Sequence, residues 1–338
     1  MQPADFYKKL SGQTVQCQLC HHFCLIKNKQ TGICRSRKNI NGELYSLVYG
    51  YPVAINIDPI EKKPLFHFQP GSSTYSLGTL GCNFKCANCQ NWDISQAIDL
   101  EKSIKKLKYI EPEKIVEEAI NNNCSSIAYT YNEPTIFAEY ALAIMEAARE
   151  KKLKNIWVSN GFMSQQCLDK ILPLLDAANI DLKSLTDEFY QKNCQGRLQP
   201  VLDNLKTIKK FGVHLEITTL IIPGLADDLA MLKNLANFIV NELGTDVPWH
   251  LSRFSSSISW KLKKVPTTSE EIIFEAYDIG KNAGLKYVYV GNIPGDQREN
   301  TYCPSCGKLA IRRFGYDLER YDNHGCCPAC DKNLDIIE

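Results

Sequence analysis

The sequence predicts an α/β fold with a parallel sheet, on the strength of three observations. In the central part of the chain, β-rich runs alternate with amphipathic helical patterns, as they do in successive βα units. Two of the helical patterns, over residues 201–208 and 229–243, end at Gly212 and Gly244, and glycine is the usual residue after a helix. The 338 residues, 44% of them hydrophobic, are enough for one large α/β domain with small additions or for two medium domains.

Seven candidate strands follow one another in this central region. They cover residues 74–80, 125–131, 155–159, 178–182, 213–219, 248–253 and 286–290. The sheet that they predict is either open or closed into a full or partial barrel, with its active site at the carboxyl ends of the strands. Thr268 and Glu271 have the spacing of a capping box at the start of the last helix. Two further β-rich runs within residues 42–58, around Gly50-Tyr51-Pro52, predict a hairpin.

Composition argues against several classes of function. Lys and Arg number 39 against 38 Asp and Glu, so a net charge of +1 gives no electrostatic reason to expect nucleic acid or an anionic membrane as the main partner. No run approaches the roughly 18 apolar residues of a membrane helix, and the first residues lack the apolar core of a signal peptide. We therefore expect a soluble cytoplasmic protein.

Cysteine usage is the unusual feature of the composition. Fifteen cysteines without a secretory signal favour metal ligation over disulfides. Twelve of them form three clusters: Cys17, Cys20, Cys24 and Cys34; Cys82, Cys86 and Cys89; and Cys303, Cys306, Cys326, Cys327 and Cys330. Cys124, Cys167 and Cys194 stand apart and are interpreted as small core residues without a chemical role.

The middle cluster, Cys82, Cys86 and Cys89, has C-x3-C-x2-C spacing and directly follows the first strand of the alternating region. Because a tetrahedral metal site needs four ligands, one interpretation is a zinc knuckle that borrows a ligand such as His67. The interpretation that the spacing favours is a [4Fe–4S] cluster with one iron left open. That iron can chelate the amino and carboxylate groups of S-adenosylmethionine (SAM), and reductive cleavage then yields a 5′-deoxyadenosyl radical.

The two outer clusters predict further metal sites. Cys17, Cys20, Cys24 and Cys34 offer four thiolates for zinc or for an auxiliary iron–sulfur cluster, with His21 and His22 as spare candidates.

At the other end of the chain, two C-x2-C pairs resemble a zinc-ribbon or rubredoxin knuckle. Their members are Cys303, Cys306, Cys327 and Cys330. Zinc is the usual occupant of this spacing and iron is the alternative. The predicted organisation is a cysteine-rich N-terminal segment with the hairpin (1–70), a core barrel (71–295) and a metal-binding C-terminal knuckle (296–338).

Several motifs together resemble the radical SAM superfamily, nearest to the pyruvate formate-lyase activating enzyme group. Within that group the sequence resembles the radical SAM member of the AmmeMemoRadiSam system. The matching motifs, spread over nearly the whole chain, are "DPIEKKPLFHFQPG", "GCNFKCANCQNWDIS", "YTYNEPTIFAEY", "NIDLKS", "EITTLIIPG", "PWHLSRF" and "KYVYVGN". The resemblance implies a partial (β/α)6-type radical SAM barrel with small cysteine-rich appendages, a [4Fe–4S] cluster, SAM and an electron donor such as flavodoxin or ferredoxin. It also implies partnership with Memo-like and AMMECR-type proteins.

The same resemblance implies which residues contact SAM. Glu133, in "YTYNEP", would receive the SAM ammonium group, and Ser159 and Asn160, in "VSNG", would hydrogen-bond the ribose or the methionyl part. Asp181 and Lys183, in "DLK", lie two residues apart and so point to one side of a strand, with Lys183 near the SAM carboxylate.

Two residues of the later strands complete the predicted cofactor set. Glu216 lies within the apolar run "HLEITTLII", where a charge needs a partner. His250, in "PWHLSRF", is either a core histidine or, as the resemblance implies, a residue on the adenosine or substrate side. We predict no residue as the catalytic acid, base or nucleophile.

The predicted activity is reductive cleavage of SAM followed by abstraction of hydrogen from a substrate. One alternative is activation of a glycyl-radical enzyme, in the manner of pyruvate formate-lyase activating enzyme. A second alternative, from a different class, is a non-catalytic zinc-stapled module that binds protein or RNA, against which the near-zero net charge argues.

Overall fold

The computed structural model describes residues 1–96 and 99–338. Its N-terminal region forms two small antiparallel sheets, ordered β1-β6-β5 and β2-β3-β4. In chain order these strands are β1 (Gln2–Pro3), β2 (Tyr7–Lys9), β3 (Val15–Cys17), β4 (Leu25–Ile26), β5 (Arg37–Ile40) and β6 (Glu43–Ser46).

The central sheet contains eight strands in the order β14-β13-β12-β11-β10-β9-β8-β7. They are β7 (Ala54–Pro59), β8 (Ser73–Gly78), β9 (Ser126–Tyr129), β10 (Lys154–Ser159), β11 (Ala177–Asp181), β12 (His214–Ile221), β13 (Trp249–Arg253) and β14 (Val288–Gly291). Strands β8 to β14 are all parallel and follow chain order, whereas β7 is antiparallel at one edge. Within the described residues the two edge strands do not pair, so the sheet is a partial barrel and the predicted fold class is confirmed.

The predicted hairpin within residues 42–58 needs correction, because its two runs belong to different sheets. β6 pairs with β5, and β7 pairs along its whole length with β8. The hairpin lies one strand earlier, at Asn41 and Gly42, which have φ angles of 55° and 86°. Two positive φ angles match a tight turn to the twist of its strands, and Asn-Gly is the sequence best suited to them.

Nine α-helices are described. They are α1 (Trp92–Ser95), α2 (Leu100–Ile104), α3 (Pro112–Asn121), α4 (Ala138–Glu150), α5 (Gln165–Ile171), α6 (Asp187–Phe189), α7 (Gln199–Phe211), α8 (Leu229–Phe238) and α9 (Glu270–Asn282). Single π-helical turns extend α6 over Tyr190–Cys194 and α8 over Ile239–Leu243. No helix in residues 1–96 and 99–338 is long and apolar enough to cross a membrane.

The helix ends follow the sequence with one exception. Gly212 and Gly244 come directly after α7 and the turn that extends α8, with φ angles of 92° and 110° that glycine adopts readily. The predicted capping box is wrong by one residue. Ser269 caps α9, whereas the Thr268 hydroxyl donates to the Ile221 carbonyl at 2.6 Å and so fixes the loop to β12.

The chain folds back on itself next to the amino-terminal half of the sheet through residues 60–71, which we call the plug. Its backbone N–H groups at Phe66 and His67 donate to the Glu216 carboxylate at 3.1 and 2.8 Å. The Pro64 carbonyl accepts from the Asn179 amide at 2.7 Å. Glu216 is the third residue of β12, so the plug covers the end of the sheet opposite to the loops that follow the strands.

The C-terminal segment packs on the plug. Its sheet has the order β15 (Thr301–Tyr302), β16 (Leu309–Phe314) and β17 (Asp317–Arg320). The buried Arg313 donates to the Phe66 carbonyl at 2.9 Å, and Ile337 exchanges backbone hydrogen bonds with His67 and Gln69. The plug therefore joins the C-terminal segment to the sheet.

His67 lies at the centre of this junction and is completely buried. Its Nδ1 is 3.0 Å from the Leu334 carbonyl, which can only accept, so Nδ1 carries the proton. Nε2 then accepts from the Tyr289 hydroxyl at 2.5 Å, which fixes a neutral ring. Burial lowers the pKa of His67 from 6.5 to about 4, although the charge of Glu216 opposes the shift.

This junction predicts an acid-sensitive fold. Below pH 6.5 the unfolded His67 binds a proton that the folded residue resists until about pH 4, so stability falls as the pH falls through this window. His67 should contribute a loss of about 2 kcal/mol in unfolding free energy between pH 7 and pH 5.

Urea denaturation at the two pH values, with wild type and His67→Gln, measures that loss. The variant should lose correspondingly less, whereas the exposed His324→Gln control should behave as wild type. Equal pH dependence in wild type and His67→Gln would contradict the assignment.

Candidate functional site

The three-cysteine loop follows β8 and is held by backbone hydrogen bonds from several parts of the chain. The amides of Lys85 and Ala87 donate to the carbonyls of Cys194 and Asn193 at 2.8 and 2.9 Å. These two carbonyls belong to the π-helical turn after α6.

Further bonds fix the other side of the loop. The carbonyls of Ala87 and Cys89 accept from the amides of Lys261 and Trp260 at 2.8 and 3.1 Å. Inside the loop, the Phe84 ring packs on Phe162 and leaves no room for a side chain at Gly196. The backbone that carries the three thiols is therefore held in one conformation.

The three thiols lie where predicted, at the carboxyl end of the first parallel strand. Burial raises the pKa of Cys82 well above its usual value, and the nearby Glu133 charge adds to the effect. Hydrogen bonding to Cys194 and burial do the same for Cys86, and burial raises the pKa of Cys89 to about 11. Because thiolates are the metal ligands, binding of a metal cluster here must release protons.

Glu133, Ser159 and Asn160, which were predicted separately, form one buried cluster at the ends of β9 and β10. Glu133 Oε1 accepts from the Ser159 hydroxyl at 2.8 Å and from the Thr135 amide at 3.1 Å and hydroxyl at 2.5 Å. Oε2 accepts from the Asn160 amide at 2.8 Å. Burial raises the pKa of Glu133, and these donors partly offset the rise. Oε2 retains room for one further donor.

Asp181 and Lys183 form the next part of the same edge, after β11. Lys183 Nζ is 2.7 Å from Asp181 Oδ2, and the Lys183 amide donates to the Tyr190 hydroxyl at 3.1 Å. Burial would lower the pKa of Lys183, but the charge of Asp181 raises it well above its usual value. Lys183 thus carries its positive charge beside the cysteine loop.

Two asparagines that the sequence did not single out connect the loop to these strand ends. The Asn132 amide donates to the Gly81 carbonyl at 2.7 Å, while its oxygen accepts from the Thr79 amide at 3.2 Å. Asn83, between the first two cysteines, accepts from the Asn160 side chain at 2.8 Å. Their positions inside the motifs "YNEP" and "GCNFKC" were the available signal. Cys194, which the sequence analysis interpreted as a core residue, is a third neighbour that it missed. The Cys194 thiol forms a hydrogen bond with the Cys86 thiol.

Glu216 and His250 do not join this cluster. The His214 and His250 rings lie 2.9 and 2.6 Å from the two Glu216 oxygens, which also accept the two plug amides. All four acceptor positions of the carboxylate are thereby filled. Hydrogen bonds from these histidines lower the pKa of Glu216 well below its usual value, although burial opposes the shift. The candidate site therefore excludes both residues, which belong to the junction with the plug.

The two outer cysteine clusters differ in geometry. The sulfurs of Cys303, Cys306, Cys327 and Cys330 all lie within 4.8 Å of one another, a spacing that suits a single metal ion. They form the C-terminal appendage that the sequence predicted.

The N-terminal cysteines line one shared cavity instead. Its cysteine members are Cys17, Cys20, Cys24 and Cys34. Nothing else in the described ranges 1–96 and 99–338 matches the close spacing of the C-terminal sulfurs.

Comparison with known proteins identifies the family of the chain. The family model of the radical SAM superfamily matches residues 77–239. An uncharacterized protein of Methanocaldococcus jannaschii, MJ0808, is 43% identical over 340 residues, which cover 100% of both chains. Pyruvate formate-lyase-activating enzyme of Clostridium pasteurianum is 22% identical over 205 residues, covering 56% of this chain and 83% of that enzyme.

A solved structure agrees on the fold alone. The radical SAM methyltransferase from Sphaerobacter thermophilus superposes with a TM-score of 0.51 at 14% identity, covering 72% of this chain and 71% of that one. The sequence matches, the sequentially ordered parallel strands and the cysteine loop at their carboxyl edge lead to one conclusion. The chain belongs to the radical SAM superfamily and resembles its pyruvate formate-lyase activating members.

Proposed function

We propose that this protein cleaves SAM reductively and uses the resulting 5′-deoxyadenosyl radical to abstract hydrogen from a substrate. The observation that carries the proposal is the position of Lys183 and Glu133 at strand ends beside the thiols of Cys86 and Cys82. A cation and a carboxylate at the same edge suit the carboxylate and ammonium groups of one zwitterionic cosubstrate.

The residues fit a [4Fe–4S] cluster with three protein ligands. Cys82, Cys86 and Cys89 would hold three irons and leave the fourth open, and the cluster would supply a low-potential electron. The Lys183 ammonium group would bind the SAM carboxylate, and its ion pair with Asp181 would weaken as it does so. Glu133 would offer its remaining Oε2 position to the ammonium group, while Ser159 and Asn160 keep that carboxylate in place. Catalysis in a site closed to water protects the radical.

Activation of a glycyl-radical enzyme is a second candidate, supported by the names of relatives. Besides the Clostridium pasteurianum enzyme, a protein of Methanocaldococcus jannaschii named as a putative glycyl-radical enzyme activating enzyme is 27% identical over 54% of this chain. Those matches leave over two fifths of the chain unaccounted for, and the four-cysteine groups at both ends lie outside the residues that the family model matches. We therefore keep hydrogen abstraction from an unspecified substrate as the main proposal. Abstraction from a glycine of a partner protein is one specific case of it.

The wider context follows the AmmeMemoRadiSam resemblance. We infer an electron donor of the flavodoxin or ferredoxin class and partnership with Memo-like and AMMECR-type proteins. A reducing cytoplasm suits an oxygen-sensitive cluster and fifteen cysteines, which are all free thiols in this structure.

We also propose zinc for the C-terminal site. Tetrahedral zinc with bonds of about 2.3 Å places its sulfurs roughly 3.8 Å apart. The Cys303–Cys330 and Cys306–Cys327 sulfur distances of 3.6 and 3.5 Å are close to that value. Zinc would stabilise a segment with little core of its own.

The first prediction concerns the reaction. Anaerobically reconstituted protein with dithionite should show a [4Fe–4S]⁺ electron paramagnetic resonance (EPR) signal that changes when SAM is added, and it should release 5′-deoxyadenosine and methionine slowly. A substrate deuterated at the reacting carbon should transfer deuterium into 5′-deoxyadenosine. Alanine at Cys82, Cys86 and Cys89 together should abolish the SAM-dependent change and the product.

Two outcomes would count against this proposal. Retention of a SAM-responsive signal in the triple variant would rule out these ligands. Release of methylthioadenosine from a fully loaded protein would mean that a different bond of SAM breaks, as in aminocarboxypropyl transfer.

The second prediction concerns Lys183. Replacing it with alanine should raise the Kd for SAM about tenfold to a hundredfold, because loss of a charge-assisted hydrogen bond costs about 1.5–3 kcal/mol. Asp181 is 38% exposed in its side chain, so water can replace the lost partner and the cluster should still assemble. Anaerobic equilibrium binding, with iron content measured in parallel, tests this. Lys192→Ala is the matched control, since that lysine pairs with Glu188 at the surface. Unchanged affinity in Lys183→Ala would remove Lys183 from the SAM site.

The third prediction concerns the C-terminal metal. Serine at the two exposed ligands, Cys306 and Cys330, should remove one tightly bound zinc per chain by elemental analysis and lower the melting temperature. Cys326→Ser is the control, because it lies in the same segment outside the quartet. Loss of iron instead of zinc would identify a rubredoxin-like centre, and an unchanged metal content would show that the quartet binds no metal.

A further inference from the structure

The cavity lined by Cys17, Cys20, Cys24 and Cys34 also reaches the loop that carries Cys82. Asn83 is part of its wall. Cys17 is buried and the other three cysteines are partly buried, so the thiols surround a pocket below the surface. The proposed function leaves this group without a role.

We propose that these four cysteines hold an iron–sulfur cluster, not zinc, and that this second cluster passes single electrons to the cluster on Cys82, Cys86 and Cys89. The second part rests on the proposed function, whereas the first part does not.

Sulfur spacing is the first argument. One zinc ion draws four sulfurs to roughly 3.8 Å from each other, as they nearly are in the C-terminal quartet. Across the described parts of the chain, the N-terminal four do not form such a compact group, although they share one cavity. In a [4Fe–4S] cluster each thiolate binds a different iron, so the sulfurs stand farther apart around a central space.

Unpaired donors in the wall are the second argument. Arg37 is completely buried, and its Nη2 donates to Glu139, while its Nε and Nη1 have no partner within residues 1–96 and 99–338. Asn83 is buried too, and its Nδ2 has no partner among the same residues. Both residues line the cavity.

Such donors call for acceptors inside the cavity, because a buried N–H without a partner costs about 1–3 kcal/mol. The bridging sulfides of an iron–sulfur cluster would add acceptors at the centre of the cavity, whereas at a zinc site only the four thiolates themselves accept such hydrogen bonds. Arg37 is ion-paired with Glu139 and carries its positive charge at the cavity wall. The cavity is therefore built for an anionic group with acceptors of its own.

Contact with the cysteine loop is the third argument. His22, between Cys20 and Cys24, lies 2.8 Å from the Asn83 carbonyl through its Nε2. The Cys34 carbonyl is only 2.5 Å from where a Cβ on Gly81 would stand, so the backbones of Cys34 and the residue before Cys82 touch. Ligands of the two clusters are thus joined by short paths through packed atoms.

Complete ligation decides the role. Four thiolates leave no open iron for a substrate, and contact with the cysteine loop favours electron transfer as the role of such a cluster. One electron from a reduced flavodoxin or ferredoxin would reduce the second cluster from the 2+ to the 1+ state. Passing that electron to the cluster on Cys82, Cys86 and Cys89 would return it to 2+.

Metal and sulfide analysis tests the first part. Wild type reconstituted anaerobically should contain about eight irons and eight sulfides per chain. The triple variant with alanine at Cys82, Cys86 and Cys89 should keep about four of each, with a [4Fe–4S]⁺ signal that SAM does not change. If that variant instead holds zinc beyond the C-terminal ion and no iron, the second cluster does not exist. This result is independent of whether wild type cleaves SAM, so the two proposals can fail separately.

Electron delivery tests the second part. Serine at the four N-terminal cysteines should slow 5′-deoxyadenosine formation with reduced flavodoxin or ferredoxin by about tenfold or more. With dithionite, a small reductant that reaches the remaining cluster directly, the rate should stay near that of wild type. A SAM-responsive EPR signal in the same preparation shows that the variant is folded. If both rates fall together, or neither falls, the relay is overturned.

Discussion

The fixed backbone of the three-cysteine loop is the constraint on which the rest of the structure depends. Three thiols can present one open iron only if the loop between them cannot rearrange. In this protein that rigidity is supplied by distant segments: the π-helical turn after α6, residues 259–261 and the asparagines Asn83 and Asn132. The parallel sheet brings these segments together, because the carboxyl ends of sequential strands meet at one edge.

Buried charged side chains at the two ends of the sheet differ in how completely the protein satisfies their hydrogen bonds. At the amino-terminal end Glu216 has every acceptor position filled by the plug amides and two histidines, so it is structural and cannot receive a ligand. At the carboxyl end Glu133 has one position left, and Lys183 shares its charge with a partly exposed Asp181. The two carboxylates differ in their unfilled hydrogen-bond acceptor positions. A binding site needs polar groups whose hydrogen-bonding positions are not all filled by the protein itself.

Sequence reasoning predicted the seven parallel strands, the cysteine groups and three of the strand-end motifs, because each is a local pattern of period or spacing. It did not predict that Glu133 and Ser159 share a hydrogen bond, since the pair is 26 residues apart and its contact depends on strand order. Glu216 was assigned to the cofactor for the same reason. The apolar run around Glu216 showed that its charge needs a partner, but only the fold shows that a distant segment supplies it. The hairpin was misplaced because β7 pairs with β8 at the edge of the central sheet, and the local sequence pattern does not show which strand is the partner.

The appendages complete this division between the two ends. The C-terminal segment binds the plug through Arg313 and Ile337, so the metal proposed for it would stabilise the closed, amino-terminal end. The N-terminal arm packs on the cysteine loop through His22 and Cys34, at the end where the chemistry takes place. A compact four-sulfur site suffices to hold a segment in place, whereas four more widely spaced thiols, beside buried donors that have no partner among the described residues, suit a redox group. The geometry of each cysteine quartet thus matches the end of the sheet that it serves.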